Sequence, residues 1–504
     1  MNTKILLREQ IKKLLLKKEM EFLKALSRKG KVYLVGGAVR DFILKRNTQD
    51  FDFLVIDLHP KEIDEILKKF GKNKAIEARS FGVFKFQPKK SKIIFDIAIP
   101  RKDHWYGLRY KDLKPQFGVS LKEDLSRRDF TINSLALDFE GNLIDPFGGL
   151  NDIKSKKIKA VGNPKERFLE DPSRILRGLR LASELGFEIE EKTKNSMAEL
   201  KREILRKTKE GKTRVSEEII AEEFLKGFYS APKKMIELLN SVGVLKIILP
   251  EIAALKGVRQ PEEFHTEGDV FEHTLLALQK LEELKKLIKL GRIKSPIPLL
   301  PDSIHTKLGL LFHDIGKPKT FKSKSETGDR IRFTGHDAIG AKMTEKICKR
   351  LKLSIFPKKD PLHVDIEKLV FLVKNHMICV NKNLEKMKLS TIEKYFFHPD
   401  KRGGELLTLS WADISATIPP GGNPDFTLFN KLISKLNEVK NVIFDKQKEE
   451  MVPYLLDGNE IMKILNLTPS PKVGKIKQEI RELQLKGRLK TKKEAINWLK
   501  KQKN

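Results

Sequence analysis

The chain has 504 residues, with 101 Lys or Arg against 68 Asp or Glu and a formal charge of +33. At roughly 100–200 residues per domain this length makes about three or four domains, and 39% apolar content excludes a disordered polyelectrolyte. No window approaches the ~18 consecutive apolar residues of a membrane span, and two cysteines, Cys348 and Cys379, exclude a disulfide framework and fit a reducing cytoplasm. The excess of basic residues suits a polyanion such as nucleic acid, and equally suits solvated, Lys-rich helix faces.

Residues 1–30 mix Leu with Lys, lack the apolar block and cleavage site of a secretory signal, and are predicted to form one basic amphipathic helix. "KVYLVGG" (31–37) reads as a strand ending in Gly36 and Gly37; "DFDFLVI" (50–56) and "KIIFDIAI" (92–99) read as further short strands. Glycines between a strand and a helix start let a ligand approach the backbone, and free amides there favour phosphate. Asp50 and Asp52 are two residues apart, so on a strand both carboxylates face the same side. Like charges so placed are costly unless a cation neutralises them, and Mg²⁺ takes carboxylate and phosphate oxygens. Asp96, in the next apolar strand, offers a third carboxylate for a two-metal site. Alone, the Asp-x-Asp pair also fits two surface acids at a strand end; the Gly pair upstream favours the metal reading.

"EDLSRRDFTINSLALD" (123–138) completes a pattern with "LVGGAVRD" (34–41) and "QDFDFLV" (49–55). Together they resemble the tRNA nucleotidyltransferase and poly(A) polymerase family, within the DNA-polymerase-β-like superfamily, and specifically its bacterial class II type that builds the CCA end of tRNA. The resemblance implies that Gly36, Gly37 and Arg40 contact the triphosphate of CTP or ATP. It implies that Asp50 and Asp52 are catalytic and ligate Mg²⁺, with Asp96 as a third catalytic acid, and that Arg128, Asp129 and Asn133 line the ribose side.

"ERFLEDPSRILRGLRLASELGF" (166–187) matches the family's base-selection motif, Glu-Asp-x-x-Arg. Asp171 before Pro172 is also a good helix cap. Three residues apart, Asp171 and Arg174 can share a helix face, where a carboxylate accepts from the amino group of C or A and a guanidinium donates to the ring nitrogen. Arg177 assists one turn on. "RKDHWYGLRYKDLKPQFGVSL" (101–121) resembles the mobile loop kept in enzymes that add A, and "TRVSEEIIAEEF" (213–224) a helix bracing the neck.

Beyond about residue 150 strand signals give way to helical spacing, and "GVRQPEEFHTEGD" (257–269) reads as a junction. A lone His on an apolar helix is usually a core residue, but here His273, His313, Asp314, His336, His376 and Asp413 all fall in such contexts. The set resembles the HD phosphohydrolase superfamily. That implies one divalent ion, a transition metal or Mg²⁺, held by His273, His313, Asp314 and Asp413, with His336 and His376 supporting a second. From Pro471 to Asn504 the chain has a net charge of +9 and resembles the family's helical tail, implying a grip on tRNA phosphates.

The expected fold is α+β: a polymerase-β-like head followed by a mostly helical neck, HD body and tail. The expected divisions are an N-terminal helix (1–30), head (31–155), neck (156–256), HD domain (257–420) and tail (421–504). The expected function is template-independent addition of CCA to tRNA from CTP and ATP, with HD-domain phosphohydrolase activity beside it. The alternatives are a poly(A) polymerase, a CC-only or A-only adding enzyme, and an RNA-binding HD phosphohydrolase.

Overall fold

A computed structural model of the chain describes residues 3–15, 17, 20–48, 50–73, 82–105, 113–380, 387–397, 399–400, 402–445 and 450–501. It divides into two units, Met1–Ile248 and Leu249–Asn504.

The first unit is organised by a mixed sheet. Its strands are β1 (Lys31–Val35), β2 (Asp52–Ile56), β3 (Gly71–Asn73), β4 (Val83–Pro88) and β5 (Phe95–Ala98). A separate antiparallel hairpin of β6 (Arg101–Trp105) and β7 (Leu113–Phe117) follows, then β8 (Ala136–Leu137) and β9 (Leu143–Ile144) return to the main sheet. The order is β3-β4-β5-β2-β1-β8-β9, with β2 and β5 parallel. Alternation along β2 and β5 sends Phe53 and Phe95 into one aromatic cluster with Phe22 and Phe86, whose rings lie 4.7 Å apart. Each buried Phe is worth about 1.5–3 kcal/mol, so these rings decide which face is core. Leu54 takes the opposite face with Val35, Leu125 and Ala136. Asp52 and Asp96, the sequence neighbours of Phe53 and Phe95, are register partners and emerge away from the aromatic core.

The N-terminal stretch forms two helices, Thr3–Leu15 and Glu21–Ser27, where one was predicted. Met20, Phe22, Leu23 and Leu26 are buried, so the second helix belongs to the aromatic core. Tertiary packing has overridden a continuous Leu/Lys pattern.

After the sheet, the Ser173–Leu185 helix packs on the Glu217–Ser230 helix. Gly178 permits that helix to lie close to its surroundings, since a Cβ there would sit 2.5 Å from Met197 and 2.6 Å from the Phe130 ring. Two-residue strands do occur beyond residue 150, Lys157–Ile158 with Glu188–Ile189 and Phe444–Asp445 with Glu450–Met451. They are too short to leave a period-2 signal.

The second unit is helical. Val270–Lys289, capped by Asp269, packs on Arg402–Ala416, and both enclose Ile304–Phe312, whose nine residues are all buried. His336–Arg350 and Ile366–Asn375 pack together beside them. Further on, Gly458–Leu465, Pro471–Leu485 and Lys492–Lys501 surround a small core including Ile461, Ile480 and Leu499. This end is tied to the Leu389–Phe396 helix by a buried ion pair, with Arg481 Nε and Nη2 donating to Glu393 at 2.8 and 2.5 Å. Removing one partner of a buried pair strands the other charge at a cost of about 3–5 kcal/mol. Glu393→Ala is therefore expected to lower stability by about that amount, read as the denaturation midpoint of the full chain; a loss within about 0.5 kcal/mol would contradict the pair's structural role.

Candidate active site and metal centre

One cleft in the first unit, of about 770 Å³, brings together residues from four stretches of sequence: Gly36, Gly37, Arg40, Asp50, Asp52, Arg128, Asp129, Asn133, Asp171, Arg174 and Arg177. Gly36 lies between β1 and the Gly37–Ile43 helix with φ 76°, and a Cβ on it would meet Arg128 Nη1 at 3.0 Å and Asp52 Oδ2 at 3.3 Å. Only glycine suits both that backbone angle and that crowding. Burial, and then the neighbouring Asp50, push the Asp52 carboxyl up to about 6, against the pull of Arg128. Asp96 lies outside the cleft lining; its carboxylate is bound by Lys85 Nζ from the adjacent strand at 2.9 and 3.0 Å.

Asp129 is the hub of the cleft wall. Its Oδ1 accepts from the Phe130 amide (2.7 Å) and from Asn133 Nδ2 (3.2 Å), and its Oδ2 accepts from Arg177 Nη1 (3.4 Å). Burial works to raise its pKa, but Arg177, the Phe130 amide, Arg174 and Asn133 outweigh burial and keep it below the usual carboxylate range. Asn133 Oδ1 in turn accepts from Arg40 Nη1 at 2.7 Å. On the far side Glu223, buried on the Glu217–Ser230 helix, accepts from Arg177 Nε at 3.2 Å and Arg180 Nε at 2.5 Å.

Asp171 and Arg174 occupy the same cleft but are not free side chains. Asp171 Oδ1 accepts from the Ser173 amide (2.9 Å) and hydroxyl (2.6 Å), so it acts as the helix cap. Arg174 donates from Nη1 to Glu170 Oε2 (3.0 Å) and the Arg167 carbonyl (3.2 Å), and from Nη2 to the Arg127 carbonyl (2.8 Å). The guanidinium expected to donate to the ring nitrogen of a base is clamped by Glu170, the first residue of the Glu-Asp-x-x-Arg motif. Glu170 and Glu223 were not singled out by sequence reasoning. Each sat in a quoted motif, but only the three-dimensional partner reveals its use. The β6–β7 hairpin forms the stem of the expected mobile loop, anchored by Arg127 Nη1 to Asp103 at 3.2 Å and Nη2 to Asp124 at 2.7 Å; residues 106–112 of that loop lie outside the described residues.

The histidines of the second unit converge. Three groups of ligand atoms among the described residues can hold metal ions: His265, Glu267 and His273; His273, His313 and Asp413; and Asp314, His336 and His376. His313 Nε2 lies 3.1 Å from Asp314 and 3.5 Å from Asp413, so the adjacent His-Asp pair joins the last two groups. Asp314 therefore faces both sides, its Oδ2 toward His313 and its Oδ1 toward His336 Nε2 at 3.5 Å. Nδ1 of His313, His336 and His376 each faces a backbone carbonyl, of Leu310, Phe333 and Val373, at 2.7–2.8 Å. A carbonyl can only accept, so each Nδ1 carries a proton and each Nε2 faces inward, with a lone pair wherever the ring is neutral. His336 Nε2 and His376 Nε2 then face each other across 3.1 Å, an apposition that a cation relieves.

The field has the same sense. Burial pulls His313 down, yet Asp314 and Asp413 overcome it and push the imidazole up to about 10. His376, facing burial and the neighbouring His313 and His336, falls to about 4. A further pair, His265 and Glu267, lies within the segment read as a junction. Glu267 Oε1 is 2.7 Å from His265 Nδ1 and 2.8 Å from His273 Nδ1, forming the carboxylate–histidine arrangement that orients a metal ligand. Lys317 Nζ contacts Asp314 at 2.7 Å and donates to Gln260 at 2.8 Å.

Residues 32–159 match the family described as the poly A polymerase head domain, and residues 270–395 match the HD domain. The multifunctional CCA protein of Vibrio campbellii is 33% identical over 327 residues, covering 64% of this chain and 71% of that protein. That of Legionella pneumophila is 34% identical over 330 residues, covering 64% and 70%. The A-adding tRNA nucleotidyltransferase of Deinococcus radiodurans is 28% identical over 475 residues, covering 92% and 93%. The Bacillus stearothermophilus CCA-adding enzyme in complex with CTP shares the fold, with a TM-score of 0.60 at 19% identity and coverage of 97% and 98%. The Thermotoga maritima CCA-adding enzyme complexed with tRNA has a TM-score of 0.57 at 20% identity and 98% coverage of both chains. No helix among the described residues is long and apolar enough to cross a membrane.

Two outcomes follow from these electrostatics. The folded-state pKa of Asp52, about 6, lies above its ordinary value of 3.8, so ionised Asp52 costs the metal-free fold roughly 2–3 kcal/mol. That penalty is complete above pH 6, shrinks as pH falls through 6, and is gone below 3.8. Asp52→Asn, uncharged throughout, should melt above the wild type at pH 7.5 in chelator, the gap closing toward pH 4; a gap independent of pH would contradict it. Glu267→Gln should weaken divalent-metal binding at the histidine centre by about ten- to hundredfold with helical circular dichroism unchanged. Metal titration of the full chain checks this, and unaltered affinity would rule it out.

Proposed function

The chain belongs to the tRNA nucleotidyltransferase and poly(A) polymerase family, and from that premise we propose that it adds C, C and A to tRNA 3′ ends from CTP and ATP, without a nucleic-acid template. The observation that best supports this is the single cleft shared by paired carboxylates, phosphate-directed glycine and arginine, and the Asp171–Arg174 pair. In this reading residues 31–155 are the head, 156–256 the neck, 257–420 the HD body and 421–504 the tRNA-binding tail. We assign its work to the cytoplasm, where its free, buried Cys348 and Cys379 stay reduced.

The primer 3′-hydroxyl attacks the α-phosphorus of the incoming nucleotide and pyrophosphate leaves in line. Gly36, Gly37 and Arg40 hold the triphosphate, and Arg128, Asp129 and Asn133 position the ribose. Asp171 accepts from the exocyclic amine of C or A. Its Oδ1 is engaged by Ser173, which leaves Oδ2 for the base. Arg174, fixed by Glu170, and Arg177, fixed by Asp129 and Glu223, supply the opposing positive edge. Uracil and guanine place a carbonyl where C and A place the amine, so they set acceptor against acceptor. Asp50 and Asp52, hard oxygen donors with Asp96 beside them, suit Mg²⁺, and the mixed imidazole–carboxylate set of the HD centre suits a transition ion or Mg²⁺. Divalent ions bound there supply charge neutralisation and Lewis acidity toward phosphoryl oxygens. We further infer that the HD centre hydrolyses phosphoesters; the two adjoining ligand groups around Asp314 support this.

The test offers tRNAs ending before CCA and ending in CC, plus an unrelated RNA, each with CTP and ATP, and sequences the 3′ ends. Addition should stop at CCA, and Asp50→Ala or Asp52→Ala should lose incorporation by at least about a thousandfold while remaining folded. Addition of A alone to the CC-ended tRNA would instead place the protein with the A-adding relative, and long A tails on unrelated RNA would make it a poly(A) polymerase. A 2′,3′-cyclic phosphodiester assay with added divalent metal checks the HD centre; no turnover in the metal-loaded protein would reject hydrolysis.

A further inference from the structure

The tail holds a second hollow, of about 680 Å³, that the nucleotide chemistry does not use. Its volume falls within the roughly 300–1,000 Å³ of small-ligand sites. One wall is Tyr454, 48% exposed, with Met451, 41% exposed, nearby. Two cations of the Pro471–Leu485 helix lie over the ring, Lys477 Nζ at 4.7 Å and Arg481 Cζ at 4.4 Å from its centroid. Four residues apart, these share one helix face.

Arg481 is a rigid support rather than a ligand-binding arm. Its five N–H donors go to both oxygens of Glu393, to the Pro453 and Val452 carbonyls and to Gln484 Oε1. Only its flat face remains, and that face meets Tyr454. The rim has the opposite character. Lys394, Lys475 and Lys477 line the hollow, and none has an ion pair among the described residues. A half-exposed aromatic ring packed on a fixed guanidinium, apolar surface beside it and ammonium groups without ion pairs around it match the chemistry of single-stranded nucleotide recognition: a base stacks and a phosphate is neutralised.

We propose that the hollow between the Leu389–Phe396 and Pro471–Leu485 helices is a subsite for one unpaired, unstacked nucleotide of the tRNA, its base on Tyr454 and its phosphate among Lys394, Lys475 and Lys477. The assignment rests on tRNA being the substrate. It adds a base-stacking contact to a tail otherwise expected to read only phosphates and shape.

The experiment measures equilibrium binding of the full chain to a tRNA transcript lacking CCA and to a blunt, fully paired RNA duplex. Tyr454→Leu, which retains apolar cover over Arg481, should weaken tRNA binding at least about fivefold and leave duplex binding within twofold. Tyr454→Phe should bind tRNA as the wild type does. Lys475→Ala with Lys477→Ala should weaken tRNA binding and flatten its dependence on salt. In nucleotide incorporation, Tyr454→Leu should raise KM for tRNA with kcat unchanged. Unchanged tRNA binding in Tyr454→Leu, an equal loss on duplex, or a loss as large in Tyr454→Phe would each overturn the subsite. Failure of the wild type to incorporate C or A would instead overturn the catalytic reading, since the binding comparison is scored without turnover.

Discussion

The buried carboxylate of Asp129 is the constraint on which the cleft depends. A carboxylate taken out of water without partners costs several kcal/mol, and Asp129 meets that cost with an amide and a carboxamide from its own segment and a guanidinium from the Ser173–Leu185 helix. Through Asn133 it fixes Arg40, on the Gly37–Ile43 helix; through Arg177 and Glu223 it fixes Arg180, on the Ser173–Leu185 helix. The result is one connected strut from the Gly37–Ile43 helix to the Glu217–Ser230 helix. The strut is rigid because moving Asp129 or Asn133 breaks hydrogen bonds to the neighbours on both sides of it.

The same physics, with the partner left out, explains the second centre. Among His273, His313, Asp314, His336, His376 and Asp413 the protein does not complete its own polar network. Backbone carbonyls take the Nδ1 protons and leave Nε2 lone pairs pointed at one another. Asp314 and Asp413 draw positive charge to His313, while His376 resists it. A cluster that is acidic on one side and lone-pair-rich on the other is satisfied by a cation and by little else. At Asp50 and Asp52 the protein supplies only part of the donor set, which fits an ion completed by substrate phosphates. The two centres thus differ in how much of a donor set the chain itself supplies.

Much of this was legible in the sequence where chemistry is written into neighbouring residues. The Gly36–Gly37 pair, the Asp50–Asp52 spacing and the strand carrying Asp96 needed only the two-residue period of a strand, and the sheet brings all of them to the same edge of the fold. The expectation of a polymerase-β-like head followed by helical modules agrees with the matched families and structures. What the sequence could not disclose was partnership at a distance. Glu223 lies 46 residues from Arg177, and Glu267 lies 146 residues before Asp413, the other acid on His273. Lys85 neutralising Asp96 is a cross-strand pairing, invisible until register is known. The first 30 residues failed for the converse reason: their local pattern was continuous, but burial of Met20 and Phe22 broke it into two helices.

The charge of +33 separates by residue type once partners are known. The arginines of the cleft are tied: Arg40 to Asp41, Arg127 and Arg128 to Asp124, Arg174 to Glu170, Arg177 and Arg180 to Glu223, Arg214 to Glu203. Their positive charge is largely cancelled locally, and what they contribute is geometry, the fixed fork that a planar guanidinium provides. The lysines around Tyr454 have no such cancellation, so their field extends about a Debye length, roughly 8 Å at physiological salt. Arginine here builds rigid, locally neutralised walls, and lysine leaves positive charge without a local partner. The two tasks make opposite demands, since a charge locked into a network cannot also be available at long range, and the chain meets both by assigning them to different side chains in different units.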